Sequence, residues 1–564
     1  MTIRKLNSIL ERLEELKKRF DPRAISEIEK AFARMAKRKF KDAETLVRYH
    51  ELLLFLRAYP HNSRVVSLAE KELASFPARV EALRASGQDL SAMETPEISG
   101  IVGTSVTDTF SYPIVRWLVR HQQDRVALAW DWFEDENRLA ETWPRFMPLL
   151  EEDAGVEANV PYRQWLSAAV GLEKELTWLI ARFNALPETD KEKAELYDSQ
   201  KLYVRWTPSY RSSRTGMRLA GTKLFYHRGP LIQRRDVSLK DELRKPAPPL
   251  ELISLKQGEA ILDMAREAST VRYRELYGFT HGDRGRVFRT NLGRGVELFI
   301  TGLPPSWRLP LRAYHAAMIF KNGIPIGYFE GLSLFERMES GFNLYYTFRD
   351  GETAWLYAAT LNVFRHLAGV TAFAIDPYQI GHENEEGIES GAFWFYRKLG
   401  FRPTTPAIMK LVLKEEERMA NRSGYRTPAR TLRKLAEGPM IFELDKASTG
   451  DWDSFQLRNI GWKAQRRMAE KYKGDAGRMR KRAVEMITGE LNIDIHRWRY
   501  EELVVIEDLA VALTLIPDLN KWNTADKQQL VKIIQAKRSP DEADYLKAMQ
   551  RHDRLRRAII SLGS

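Results

Sequence analysis

The chain has 564 residues, a hydrophobic content of 44% and a formal net charge of +13. This length and composition predict several folded domains and exclude a disordered chain. Cysteine is absent, which excludes disulfides, thiolate catalysis and cysteine-based metal sites.

The sequence pattern also argues against a membrane or metal protein. No segment approaches the roughly 18 apolar residues that a membrane-spanning helix needs, and charges interrupt the first dozen residues where a secretory signal would be apolar. The 10 histidines show no metal-ligand spacing. We therefore expect a cytoplasmic protein without a metal or a membrane contact.

The first part of the chain is predicted to be helical. Over residues 1–95, Leu6, Leu10 and Leu13 are examples of apolar residues that recur at helical spacing. Residues 96–200 are also predicted to be helical after a loop at 100–112, and this region is rich in tryptophan. Tryptophans in such a region favour a helical core over the wall of a pocket.

A basic segment follows at residues 201–249. Short strands are predicted at 202–206 and 223–226, around arginine-rich loops. Residues 201–245 hold 12 Lys or Arg and 3 Asp or Glu, a local excess that favours polyanionic partners. Prolines at 246–249 indicate a linker.

Residues 250–415 have a distinctive predicted order of elements. A strand at 250–255 is followed by a helix at 258–277 and a glycine-rich connection at 280–295. Asn322-Gly323 is the preferred pair for a two-residue hairpin turn, so it should join strands 314–320 and 324–334. The other predicted elements are strands at 296–300, 342–348, 370–375 and 408–413, and helices at 351–367 and 386–399.

The helix that ends near Gly400 carries the most informative motif. It reads Phe395-Tyr-Arg-Lys-Leu-Gly-Phe401, with Ala392 three residues upstream. This motif resembles the late helix of the GNAT acyltransferase superfamily, and the order of elements over 250–415 is similar to the order in that superfamily. The resemblance covers less than a third of the chain.

The resemblance implies an α/β (α+β) fold with a mixed, mainly antiparallel sheet flanked by helices. The GNAT-like domain at 250–415 would lie between largely helical N- and C-terminal domains. The predicted division is therefore 1–95, 96–200, 201–249, 250–415 and a basic helical domain at 416–564.

The resemblance also implies a binding site for acyl-coenzyme A as co-substrate. The strand edge at Leu344, Tyr345 and Tyr346 would orient the pantetheine arm. A turn that opens a helix would hold the pyrophosphate on unpaired N–H groups; its residues are Arg349, Gly351, Thr353 and Ala354. Thr353 stands where the superfamily has a second glycine, so a capped strand–helix turn is the alternative interpretation.

Two residues are the leading catalytic candidates. Tyr396 corresponds to the superfamily tyrosine beside the thioester, and a phenol there could protonate the leaving thiolate. The attacking amine needs a base, and Asp376, after the strand at 370–375, is the first choice. Glu330 and the carboxylates at 383–386 are the other candidates.

The loop after Asp376 is a candidate substrate-binding element. It is longer than the corresponding superfamily link and contains Tyr378, Gln379, His382 and Asn384. A structural loop held by Pro377 and Asn384 explains these residues equally well.

The leading hypothesis is an N-acyltransferase that moves an acyl group from acyl-coenzyme A to an amine acceptor. The alternatives are a non-catalytic protein on the same scaffold and a transferase that uses aminoacyl-tRNA. The basic segments 201–245 and 463–482 are candidate surfaces for nucleic acid or another polyanion; either could equally be a solvated basic face or a contact between domains.

Overall fold

The computed structural model describes residues 3–36, 38–133, 136–146, 161–170, 174–445, 448–495, 498 and 500–564. The described part of the N-terminal region is mainly helical, as expected for 1–95; residues 1–2 and 37 lie outside the described residues. Its helices are α1 (Ile3–Leu16), α2 (Pro22–Met35), α3 (Ala43–Ala58), α4 (Ser63–Ala74) and α5 (Phe76–Ala85). Side chains of Asp21, Asp42 and Asn62 cap the starts of α2, α3 and α4.

The next region contains helices and a small antiparallel sheet in the order β1-β3-β2. Its elements are β1 (Val106–Asp108), α6 (Tyr112–His121), β2 (Val126–Leu128), α7 (Tyr162–Val170), α8 (Glu175–Ala185), α9 (Asp190–Ser199), β3 (Val204–Trp206) and α10 (Leu239–Arg244). The strand predicted at 202–206 is confirmed. The loop predicted at 100–112 contains β1, and the helical prediction for the residues after it is wrong at β2; both strands pair with β3. The part of this prediction at 134–135, 147–160 and 171–173 lies outside the described residues.

The strand predicted at 223–226 is not formed. The backbone N–H of Phe225 donates to Asn322 Oδ1 at 2.7 Å, and Asn322 Nδ2 donates to the carbonyl of Phe225 at 3.1 Å. A buried side chain therefore satisfies the backbone groups that a neighbouring strand would otherwise pair.

The centre of the protein is a nine-stranded mixed sheet with the order β4-β5-β6-β7-β8-β9-β10-β12-β11. Its strands are β4 (Glu251–Leu252), β5 (Val287–Gly293), β6 (Val296–Thr301), β7 (Ala313–Lys321), β8 (Ile324–Leu334), β9 (Arg337–Leu344), β10 (Ala372–Ile375), β11 (Arg402–Pro403) and β12 (Met440–Glu443). Only β9 and β10 are parallel neighbours; the other described pairs are antiparallel.

The predicted hairpin between β7 and β8 is confirmed. Asn322 and Gly323 have φ values of 51° and 77°, the left-handed conformation that this turn requires at both positions. Asn322 is fully buried, and its side chain also donates to the carbonyl of Ala58 on α3 at 2.8 Å. The same residue therefore forms the turn and binds the N-terminal helices.

Helices cover the sheet and continue to the end of the chain. Those within the sheet region are α11 (Leu255–Thr270), α12 (Tyr277–Thr280), α13 (Thr353–Ala368), α14 (Glu385–Glu389), α15 (Ala392–Arg397), α16 (Pro406–Asn421) and α17 (Ala429–Leu435). The C-terminal helices are α18 (Leu457–Tyr472), α19 (Ala476–Leu491), α20 (Tyr500–Thr514), α21 (Thr524–Ala536), α22 (Glu542–Gln550) and α23 (Asp553–Gly563).

Several predicted elements differ from the structure. The strand predicted at 408–413 is part of α16, where Ile408 and Val412 face the core at helical spacing and Pro406 occupies the first turn. The glycine-rich connection predicted at 280–295 contains β5. The helix predicted at 386–399 is two helices, because Gly391 has a φ of 66°.

Two apolar clusters hold the described residues together. The larger one extends from Leu10 to Leu562 and includes both faces of the central sheet. The smaller one joins the sheet β1-β3-β2 to α6, α8 and α9. The N-terminal and C-terminal helices thus share one core with the nine-stranded sheet.

Helix α11 contains a carboxyl group that gives a measurable pH dependence. Burial raises the pKa of Glu267 to about 7, so the folded state holds this proton more tightly than the unfolded state and stability falls as pH rises from about 4.5 to about 7. We expect Glu267→Gln to stabilise the protein by about 2 kcal/mol near pH 8 and by nearly nothing near pH 4.5. Urea unfolding at both pH values measures this effect, and Glu259→Gln on the same helix is the control. A Glu267→Gln effect of equal size at the two pH values would contradict the prediction.

Candidate active site

The central sheet opens where its two parallel strands separate. Strand β10 pairs with β9 only at Arg337, Met338 and Glu339, whereas β9 continues to Leu344. After Ile375 the chain turns into a short 3-10 helix at Pro377–Ile380. No described strand therefore pairs with the β10 side of β9 between Gly341 and Leu344. The carbonyl of Leu344 accepts a hydrogen bond from Arg349 Nε at 3.0 Å, and the other backbone groups on this side of β9 are open to a ligand.

A cavity of about 340 Å³ lies at this opening, within the size range of small-molecule sites. It lies between β8, β9, the turn before α13, the loop after β10 and helices α14 and α15. Its lining residues are Arg274, Tyr328, Glu330, Gly341, Phe342, Asn343, Leu344, Arg349, Thr353, Tyr378, Gln379, Asn384, Glu386, Gly387, Ser390, Ala392, Phe395 and Tyr396.

The cavity brings together seven of the thirteen residues predicted for the site. Tyr396, Leu344, Arg349, Thr353, Tyr378, Gln379 and Asn384 all line it, although they come from four separate segments of the chain. The remaining six are outside its lining: Tyr345, Tyr346, Gly351, Ala354, Asp376 and His382.

Tyr396 occupies the inner wall of the cavity. It is 4% exposed, and its ring packs edge-on against Tyr357 and Phe401 at centroid distances of 5.5 and 5.6 Å. Burial among these rings raises the pKa of the Tyr396 phenol well above its usual value. The hydroxyl therefore keeps its proton at neutral pH and can act as an acid.

Glu330 provides a carboxyl group in the same cavity. It lies on β8, and the hydroxyl of Tyr314 on β7 donates a hydrogen bond to it. Burial raises the pKa of Glu330 above its ordinary range, which makes its carboxylate a stronger base than one in water.

Two arginines meet one carboxylate at the mouth of the cavity. Arg349 donates to Glu386, and Arg274 approaches the same carboxylate at 3.8 Å. Arg274 also donates to the hydroxyl of Tyr328 at 2.9 Å. These groups leave one net positive charge at the mouth, which can attract a ligand with negative charge, while the cavity lining as a whole has two arginines and two glutamates.

The turn before α13 is partly covered by the N-terminal helices. A Cβ atom at Gly351 would lie 2.2 Å from the Tyr59 hydroxyl of the segment after α3. Glu352 is fully buried and pairs with Lys321 at 3.3 Å and with Arg294. Ala354 is also buried. Thr353 and Arg349 are the residues of this turn that line the cavity, and the Thr353 hydroxyl donates to the carbonyl of Arg349 at 2.9 Å.

The other predicted residues outside the lining have clear positions. Asp376 Oδ1 accepts the N–H of Tyr378 at 2.9 Å and so caps the turn after β10. Tyr345 is buried beneath the guanidinium of Arg272 at 3.7 Å, whereas Tyr346 is 62% exposed. His382 is exposed on the loop.

The loop after Asp376 is fixed by its own hydrogen bonds and also lines the cavity. Asn384 holds the loop closed, since its Nδ2 donates to the carbonyl of Tyr378 at 2.9 Å and its Oδ1 accepts the N–H of Gly387 at 3.3 Å. Tyr378 remains 56% exposed and lines the cavity with Gln379. The loop is therefore internally fixed, and Tyr378 and Gln379 remain accessible from the cavity.

Among the lining residues that sequence reasoning missed are Arg274, Tyr328 and Asn343. Arg274 follows α11, and only the folding of the sheet brings it near β9. Tyr328 and Asn343 are register partners on β8 and β9. A polar residue between Phe342 and Leu344 in a predicted strand was the available signal for Asn343.

Several cations of the basic segment 201–245 are engaged within the protein. Arg205 pairs with Asp131 at 2.6 Å, Arg218 with Glu70 at 3.0 Å and the buried Arg214 with Glu51 at 2.8 Å. Arg234 donates to the carbonyl of Lys398 at 3.1 Å. This segment therefore contributes much of its charge to structure.

The described residues contain no group of three or more His, Cys, Asp or Glu side chains placed to hold a metal ion. None of the helices in the described part of the chain is long and apolar enough to cross a bilayer.

The fold and the cavity define a mixed α/β protein with a polar cleft at a break in its sheet. No protein-family profile, curated protein or solved structure matches the chain.

Proposed function

We propose that this protein is a GNAT-like N-acyltransferase that transfers an acyl group from acyl-coenzyme A to an amine. The observation that carries the proposal is the cavity beside the separated parallel strands β9 and β10, with Tyr396 in its wall. The motif at 395–401 suggested this chemistry independently of the cavity.

The open edge of β9 suits the pantetheine arm of the donor. Its amide groups can exchange hydrogen bonds with backbone groups that β9 turns away from β8 between Gly341 and Leu344, much as an added strand would. Arg349 and Thr353 lie at the turn before α13 and are the available contacts for phosphate oxygens.

The residues support direct transfer without a covalent enzyme intermediate. Glu330 accepts a proton from the acceptor ammonium, and the neutral amine then attacks the thioester carbon. As the tetrahedral intermediate collapses, the C–N bond remains and the C–S bond breaks. Tyr396 donates its proton to the departing sulfur and recovers one from the new amide nitrogen through solvent.

Glu330 replaces Asp376 as the favoured base in this proposal because it lines the cavity. A base acts when deprotonated, and burial raises the pKa of Glu330, so kcat/KM should rise with pH in the region above about 4.5. We expect Glu330→Gln to remove this limb and to lower the rate about 100-fold. The exposed Glu389→Gln is the control; an unchanged pH profile in Glu330→Gln would contradict this role.

Thermal unfolding with and without excess acetyl-coenzyme A tests the proposed function. A ligand at about 100 times its Kd stabilises the folded state by about 2.7 kcal/mol. A Cβ at Gly341 would lie 3.8 Å or more from its neighbours, so Gly341→Leu should fold and fill the cleft. We expect acetyl-coenzyme A to stabilise the wild type and the exposed control Gly489→Leu, but not Gly341→Leu. Absence of stabilisation by acetyl-, longer acyl- or free coenzyme A in the wild type would overturn the proposal.

The covered turn before α13 favours a second candidate. Gly351 packs against Tyr59 and Glu352 is buried, which leaves little of this helix start for a pyrophosphate. A donor without that group, such as an aminoacyl-tRNA, would need only the open strand edge and Tyr396. Transfer from aminoacyl-tRNA without stabilisation by coenzyme A would support this candidate. A non-catalytic protein on this scaffold would show neither transfer from aminoacyl-tRNA nor stabilisation by coenzyme A.

A further inference from the structure

The C-terminal helices α18 and α19 form a strongly basic hairpin that the acyl-transfer proposal does not use. The turn between them places Lys473 and Gly474 in the left-handed conformation, with φ values of 55° and 84°. Residues 463–482 hold 9 Lys or Arg and 2 Asp or Glu. Such a density of like charge in one hairpin creates a strong local positive potential.

Most of these cations are not used to hold the hairpin together. Lys463 donates to the carbonyl of Leu562 at 2.7 Å, Arg467 donates to the carbonyl of Thr514, and Arg482 pairs with Glu485 at 2.6 Å. The six others are exposed and form no ion pair within the described part of the chain: Arg466, Lys471, Lys473, Arg478, Arg480 and Lys481.

An aromatic ring accompanies these charges on the exposed face of α18. Trp462 is 57% exposed, the most exposed tryptophan among the described residues. Arg458 and Arg466 lie one turn before and one turn after it, and the Arg458 guanidinium is 5.8 Å from the ring centroid. A Cβ atom added at the adjacent Gly461 would meet no neighbour within 4 Å, so the helix surface beside Trp462 is also uncovered.

We propose that the hairpin α18–α19 binds single-stranded nucleic acid. The exposed cations would contact phosphates, and Trp462 would provide a stacking platform for a base, a combination that binds single strands with little sequence preference. A helix of 16 residues spans about 24 Å, enough for a segment of several nucleotides.

The surface fits nucleic acid better than a lipid bilayer. Helices that lie in a membrane interface present a continuous apolar face opposite the charged one. Here Trp462 is surrounded on α18 by Arg458, Gln465 and Arg466, and Met486, the other exposed large apolar residue of the hairpin, lies on α19. The exposed face thus has one aromatic ring within a basic surface and no apolar stripe.

Fluorescence anisotropy with labelled single-stranded RNA and DNA of about 16 nucleotides tests the proposal. We expect binding that weakens steeply with salt, and a slope of log K against log salt that falls by about 0.7 for each phosphate contact removed. The variant Lys471→Gln/Arg480→Gln/Lys481→Gln should weaken binding at least tenfold and reduce this slope. The matched control Lys223→Gln/Arg228→Gln/Arg235→Gln removes three exposed cations from the other basic segment and should bind as the wild type does.

Trp462→Ala separates stacking from charge. We expect about tenfold weaker binding to both single strands, with the salt slope unchanged. Because Trp462 is exposed, this variant should fold normally. The variant Gly341→Leu should bind nucleic acid as the wild type does, even if the acyltransfer proposal fails.

Three results would overturn the nucleic-acid proposal. One is a wild type that binds no single strand at low salt, and another is a loss of affinity that is equal in the hairpin variant and in its control. The third is binding to vesicles that contain phosphatidylglycerol, lost in the hairpin variant, without binding to RNA or DNA.

Discussion

Tyr396→Phe is expected to lower the rate of acyl transfer about 100-fold while leaving donor binding intact. The variant removes only the phenolic proton donor, so the C–S bond must break without protonation of the leaving sulfur. No hydrogen bond from the Tyr396 hydroxyl to another described residue is present, and burial alone raises the pKa of this phenol. Folding should therefore be nearly unaffected.

The release of thiol from acetyl-coenzyme A in the presence of a set of amines measures this effect. The chain has no cysteine, so a thiol reagent detects only the released coenzyme. Tyr425→Phe is a matched control, because its hydroxyl donates to Glu415 at 2.9 Å outside the cleft. A Tyr396→Phe variant that releases thiol at the wild-type rate would show that Tyr396 is not the acid.

Glu352→Ala is expected to destabilise the protein by about 3–5 kcal/mol. Glu352 and Lys321 are both fully buried and lie 3.3 Å apart, and Arg294 binds the same carboxylate. Burial lowers the pKa of Lys321 to about 8 even with this partner present. Removal of the carboxylate leaves two cations without compensation between β7, the β5–β6 turn and the start of α13.

Urea unfolding near neutral pH measures this loss. Asp124→Ala is the control, because it breaks an exposed pair with Lys174 and should cost no more than about 1 kcal/mol. Similar small losses in both variants would indicate that the Glu352 cluster is hydrated and contributes little to stability.

Local signals in the sequence predicted the parts of the fold that depend on near neighbours. The Asn322-Gly323 pair was sufficient for the β7–β8 hairpin, because the turn geometry depends on those two residues. The apolar spacing around Leu10 was likewise sufficient for α1. The residues that determine each of these two features lie close together in the sequence.

Elements whose partners are distant in sequence were predicted less well. The apolar residues at 408–413 fit either a short strand or a helix, and the choice depends on β12, some thirty residues later, which pairs with β10 and β11. Strand β5 was read as a loop because glycines surround it, although its pairing with β6 determines its conformation.

The residues of the candidate site were likewise predicted where the signal was local and missed where it depended on distant contacts. Tyr396 was found from a local motif, and Arg349 and Thr353 from a turn. Arg274 and Asn343 reach the cleft only through the assembly of the sheet, and the contact of Gly351 with Tyr59 depends on helices about three hundred residues earlier in the chain.

A crystal structure of the protein with coenzyme A tests the central claim most directly, because it shows where the cofactor lies. The account predicts a pantetheine arm along the open edge of β9 at residues 341–344, with its sulfur beside the Tyr396 hydroxyl. Coenzyme A bound elsewhere on the protein, or an empty cleft at a concentration that saturates binding in solution, would contradict it.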